Sequence, residues 1–348
     1  MSTVCMTERP MLSVVVPVYN MEKYIGRCLS AILSFQDAAM EVIVVDDGST
    51  DGTNAVLESF THPLLKVLRE PHGGVSAARN AGFKCSRGKF ILFFDADDMP
   101  VVENWHSILA TFAANPDAVL VYGARRVFYD EADDFRRTLP LKGTYPENDA
   151  VVPLIFKENF MQMGSAFVRR EAIETVGVWN ENLTVGEDWD IWCRLACLGR
   201  FIYCPVLVIG YRRHSQSATG VPVLRDAQDP GLAAIQTIYS HRSVRLKTGA
   251  HHHKLKQQAL AWQTYHWGTR LIQSGAYWSG VKALVWAISK DPSHFLHLCS
   301  FPYRRLYNWV KDDLEELQSA RELSSDRSLV NRSSIRSEDE VPSDIGKI

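Results

Sequence analysis

Residues 90–98 read FILFFDADD, five apolar side chains followed by three carboxylates in four positions, Asp95, Asp97 and Asp98. An unbroken apolar run of this kind marks a strand covered on both faces, as in a parallel sheet. Carboxylates crowded at its end repel one another unless something positive sits among them. A divalent cation, Mg²⁺ or Mn²⁺, takes hard oxygen ligands and bridges to phosphates. The plainer reading is a solvated acidic turn, and the flanking sequence has to decide between the two.

Working outward, similar runs recur: LSVVVPV at 12–18, EVIVVD at 41–46, LLKVL at 64–68 and AVLVYG at 118–123. Helix-length segments separate them, at 22–35, 52–60, 75–86 and 101–114, several preceded by Asn, Ser or Asp that cap free N–H groups. The spacing predicts an α/β unit with a mostly parallel sheet flanked by helices. Ligands in such a sheet bind beyond the carboxyl ends of the strands. The polar clusters fall there: YN after the first strand, DDGSTDGT after the second and DADD after the fourth.

Between 124 and 160 the pattern loosens. It resumes with a helix expected at 188–198, preceded by Gly186, closed by Gly199 and carrying Glu187 and Asp188 in its first turn, where the helix dipole favours acids. Beyond Gly220, helices are expected at 232–248, 252–274 and in the segment stopped by Pro292. The expected division is an N-terminal extension at 1–10, a catalytic domain at 11–220, a helical C-terminal appendage at 221–317 and a disordered tail at 318–348, where little can be buried.

Charge is balanced, with 38 Lys and Arg against 40 Asp and Glu, so the chain lacks the basic excess on which nucleic-acid binding relies. Seven cysteines form no CxxC pair, which suits a reducing cytoplasm. The start carries no signal-peptide pattern, and no stretch approaches 18 uninterrupted apolar residues. The expected location is the cytoplasm. There is no GxGxxG after the first strand and no GxxxxGK[ST], so dinucleotide and P-loop readings lose their support. An acid in DDGSTDGT can accept hydrogen bonds from a ribose or base N–H.

The blocks SVVVPVYN, VVDDGSTDGT, GGVSAARNAG, FFDADD, GEDWDIWCRL and YRRHSQS, in this order over residues 11–217, resemble the family 2 inverting glycosyltransferases of GT-A fold. The resemblance implies a nucleotide-diphosphate sugar donor, a glycan, lipid-linked or other hydroxyl acceptor, and a divalent metal, Mn or Mg. It places Tyr19, Asp47, Arg79 and Asp95 at the donor. It places Asp95, Asp97, Asp98 and His214 at the metal, and Asp188 as the general base. Met163, Ser165 and Trp189 fall on the acceptor side. The chemistry is consistent, because glycosyl transfer needs charge neutralised on the departing diphosphate and a carboxylate to deprotonate the acceptor. Bacterial surface polysaccharide assembly is a common setting for relatives of this size. A nucleotidyltransferase and an inactive sugar-nucleotide-binding module are the alternatives.

The segment YWSGVKALVWAISKDPSHFLHLCSFPYRRLYNWVKDD, from Tyr277 to Asp313, is rich in aromatics. Two expectations attach to it: peripheral contact with the inner face of a membrane, or packing of the appendage on the catalytic domain.

Overall fold

The computed structural model describes residues 9–35, 39–129, 151–214 and 229–294. Met1–Asp291 forms one compact unit and Pro292–Ile348 a second; the expected tail at 318–348 and the extension up to residue 8 lie outside the described residues.

The first half of the compact unit alternates strand and helix: β1 (Leu12–Val18), α1 (Ile25–Leu33), β2 (Met40–Asp46), α2 (Thr53–Glu58), β3 (Leu65–Arg69), α3 (Val75–Cys85) and β4 (Phe90–Phe93). A short β5 (Met99–Pro100), α4 (Trp105–Ala114), the long β6 (Ala118–Tyr129) and α5 (Val151–Ile155) follow. Next come β7 (Ala166–Arg169), α6 (Arg170–Val176), α7 (Glu187–Leu198) and β8 (Arg200–Arg213). Four helices complete the unit: α8 (Gly231–Ser240), α9 (Arg242–Thr248), α10 (His252–Gln273) and α11 (Tyr277–Lys290).

The described strands form one sheet in the order β3-β2-β1-β4-β7-β6-β8-β5. Its first four strands are parallel. β7 then runs antiparallel to both β4 and β6, β8 lies parallel to β6, and β5 pairs antiparallel with β8. Side chains alternate along β1: Val14 and Val16 join the cluster under α1 and α4, whereas Val15 joins the one containing Phe83, Ile91 and Trp192. Both faces are therefore covered, which is why the strand reads as continuously apolar. At Gly82 an added Cβ would lie 2.3 Å from Val15 Cγ1 and 3.1 Å from Val45 Cγ2, so α3 sits on the sheet as closely as its backbone permits.

Two local departures have physical causes. α1 begins only at Ile25, after Asn20, whose φ of 53° lets its Oδ1 accept the Thr50 N–H at 2.8 Å. The helix expected at 232–248 breaks into α8 and α9 at His241, whose backbone is extended and whose Nε2 lies 2.7 Å from Asp190 Oδ1. β7 and β8 were not among the expected strands. The helices expected as an appendage belong, through α11, to the same compact unit as the sheet, with α8, α9 and α5 packed on α7.

Candidate active site

The parallel strands deliver their polar ends to one edge of the sheet. After β2, Asp47 accepts N–H bonds from Gly73 at 2.8 Å and Gly74 at 2.9 Å, and His72 Nδ1 lies 2.9 Å from its Oδ2. Gly74 has φ of 89°, a conformation open chiefly to glycine. Tyr19, after β1, stacks on His72 with ring centroids 4.2 Å apart and keeps 39% of its surface exposed. Asp47 thus fixes the loop before α3, and Tyr19 presents an aromatic face above it.

The carboxylates after β4 meet different partners. Asp95 Oδ1 accepts a bond from Arg79 at 2.9 Å, and the same guanidinium donates to Glu187 Oε1 at 2.9 Å. Arg79 also lies over the Trp179 ring, 4.8 Å from its centroid. Burial opposes its charge, but the two carboxylates more than offset this and raise its pKa. Arg79 thus ties Asp95, after β4, to the start of α7. Asp97 Oδ2 lies 2.9 Å from His214 Nε2, just beyond β8. Asp98 is buried; its Oδ1 accepts the Arg212 N–H at 2.8 Å, while its Oδ2 is buried without a partner. Burial, and then the charges of Asp97 and Asp95, hold the Asp98 carboxyl well above the usual range. Beneath them, Cys28 is likewise pushed up, by burial first and then by these acids, so it persists as a thiol and not as a nucleophilic thiolate.

Asp188 opens α7 beside Glu187. Its Oδ1 accepts its neighbour's N–H, from Trp189, at 2.7 Å, and its Oδ2 accepts from Asn159 Nδ2 at 3.0 Å. Burial, then the Glu187 charge, push its pKa up to about 7, against opposing effects from Asn159 and Arg79. Gly186 supports this turn with φ of 76°.

The three residues expected on the acceptor side are all buried. Trp189 is 2% exposed, its indole N–H donates to the Ile155 carbonyl at 2.6 Å, and its ring packs edge-on against Trp262. The ring is thus enclosed by α5 and α10. Met163 and Ser165 are buried too, in a single 3-10 turn where the Ser165 hydroxyl donates to the Gln162 carbonyl. Among residues that sequence reasoning missed, Gly74 lay inside the recognised Gly-rich block and His72 directly before it, whereas Asn159 carried no local signal.

With this geometry in view, the likenesses to known proteins are informative. The family model described as Glycosyl transferase family 2 matches residues 13–177. Glycosyltransferase GlyG of Streptococcus pneumoniae is 37% identical over 126 residues, 35% of this chain and 41% of that protein. The chain spans about two fifths of the length of the curated relatives it first matches. S. aureus TarS 1–349 in complex with UDP-GlcNAc superposes with a TM-score of 0.53 at 18% identity, covering 82% of this chain and 92% of that one. The mannosyltransferase PcManGT from Pyrobaculum calidifontis, in complex with GDP-Man and Mn²⁺, gives 0.50 at 18% identity, covering 86% and 84%. At such identity the likeness defines the fold, which is GT-A.

Proposed function

We propose that this chain transfers a glycosyl group from a nucleotide-diphosphate sugar to a hydroxyl acceptor, inverting the anomeric carbon with the help of a divalent cation. The observation that carries this reading is Asp188, a carboxylate with a pKa near 7 joined through Glu187 and Arg79 to the acids after β4. A general base works best with a pKa near the operating pH. The family match and the nucleotide sugars in the TarS and PcManGT complexes support the donor class.

The side chains fit Mn²⁺ or Mg²⁺. Asp97 Oδ2 and His214 Nε2, 2.9 Å apart, match the roughly 3 Å between adjacent ligands in an octahedral shell with bonds of about 2.1 Å. The buried, unpartnered Asp98 Oδ2 is a further oxygen that a bound cation would satisfy. No three ligand-type side chains converge among the described residues, so a bound cation would need donor phosphates and water to complete its shell. When bound, it neutralises charge growing on the leaving diphosphate.

The chain's own groups do the rest. Tyr19 offers its ring to the nucleobase beside the loop fixed by Asp47. Asp188 Oδ takes the acceptor proton, while the Asn159 amide and the Trp189 N–H hold the carboxylate in place. Displacement from the face opposite the diphosphate inverts the centre. The acceptor is a glycan, lipid-linked saccharide or similar hydroxyl in a cytoplasmic pathway such as surface polysaccharide assembly.

The test is nucleoside diphosphate release from a panel of UDP-, GDP- and dTDP-sugars, with Mn²⁺ and with EDTA. The reading expects release from at least one donor, suppressed by EDTA. Production of a sugar nucleotide from a nucleoside triphosphate and a sugar phosphate would overturn it in favour of a nucleotidyltransferase.

A further inference from the structure

The helix α11 is apolar on two opposite faces. One face turns Gly280, Leu284 and Ala287 inward, and a Cβ on Gly280 would lie 2.7 Å from the Gly268 carbonyl oxygen of α10. The other carries Trp278, Val281 and Val285 at 80%, 44% and 63% exposure, flanked by Tyr277 and Trp286. The spacing i, i+3, i+7 puts the three on one stripe. Scattered exposed apolar residues need no explanation, but a contiguous stripe of this kind marks an interaction surface. Of the aromatics expected to contact either a membrane or the catalytic domain, Tyr277, Trp278 and Trp286 are exposed, and those beyond residue 294 lie outside the described residues.

Charge identifies the partner. Residues 231–290 hold eight Lys and Arg and no Asp or Glu, leaving 30 Lys and Arg against 40 Asp and Glu in the rest of the chain. Lys282 lies along the stripe and Lys290 closes the helix, both exposed, where long stems can keep an ammonium in water while apolar neighbours are buried. A second copy of this face would set like charge against like. An anionic bilayer supplies opposite charge and an apolar boundary, with the headgroup level that Trp and Tyr favour. At 14 residues the helix is about 21 Å long, shorter than the roughly 30 Å hydrocarbon core. It can lie in the interface but not cross it, and among the described residues no helix is long and apolar enough to span a membrane.

We propose that α11 docks this protein onto an anionic lipid surface, with Trp278, Val281 and Val285 inserted at the acyl boundary. The proposal goes beyond glycosyl transfer and does not depend on it. It is tested by co-sedimentation of the full chain with phosphatidylglycerol-containing vesicles and with pure phosphatidylcholine vesicles. Binding is expected to favour the anionic vesicles, to weaken with salt, and to fall about ten-fold or more in the double variant Trp278→Ser, Val285→Ser. Circular dichroism and melting temperature should stay at wild-type values, because both side chains are exposed. Release of nucleoside diphosphate in vesicle-free solution, read on the same samples, should not change, which separates this test from that of the catalytic reading. No sedimentation of the wild type, equal binding to both vesicle types, or undiminished binding of the double variant would overturn the proposal. So would a wild-type dimer that ignores vesicles and that the double variant turns into a monomer.

Discussion

Arg79 joins two carboxylates that lie far from each other in the chain, Asp95 at the end of β4 and Glu187 at the start of α7. Its guanidinium is buried, so removing it strands two acids without their cation. Arg79→Ala should destabilise the fold by about 3–5 kcal/mol, read by chemical denaturation. Arg79→Lys keeps the charge but not the planar fork and should retain more stability. Asp188 gives a second residue-scale expectation. Its folded pKa of about 7 lies above its ordinary value of 3.8, so activity that needs the carboxylate should rise with pH through about 7. Asn159→Ala removes a hydrogen bond to the ionised form and should move this limb to higher pH, read as the pH dependence of kcat/KM. The linked stability effect has the opposite sign. Protonated Asp188 favours the folded state, fully below pH 3.8, and this contribution disappears as pH rises through about 7. Asp188→Asn should therefore gain thermal stability over wild type above pH 7 and little at pH 4.

At the scale of elements, α3 is held against the sheet at Gly82, with no room for a side chain over Val15. Gly82→Leu should destabilise by about 1–3 kcal/mol or more through overpacking, read by urea unfolding, and should also loosen Arg79 three residues earlier on the same helix. β1, β2 and β4 were legible because both their faces are covered and apolar side chains recur without interruption. β8 was not, because its burial alternates irregularly around Pro205. The break between α8 and α9 was hidden for another reason: it is fixed by His241 meeting Asp190 across 51 positions of sequence. The acids of the site were legible as a charge excess that needed a partner. Their actual partners were not, since Arg79 reaches Glu187 across 108 positions. The partner of Trp189 was not legible either, since its indole N–H reaches the Ile155 carbonyl 34 positions earlier.

Across the whole molecule, one group of acids gathers at the end of β4 and another at the start of α7, in different surroundings. Asp97 faces His214, whereas Asp188 sits apart from that pair, held by Asn159. The central claim is that these groups do separate work, one on the donor and one on the acceptor. The most direct test is calorimetric titration of Asp188→Asn and Asp97→Ala with the cognate nucleoside diphosphate in Mn²⁺, with turnover measured on the same preparations. Asp188→Asn should bind within a few-fold of wild type while transfer falls by roughly 10² to 10⁴. Asp97→Ala should lose binding and transfer together. Donor binding lost as severely in Asp188→Asn as in Asp97→Ala, or near-normal transfer by Asp188→Asn, would contradict the account.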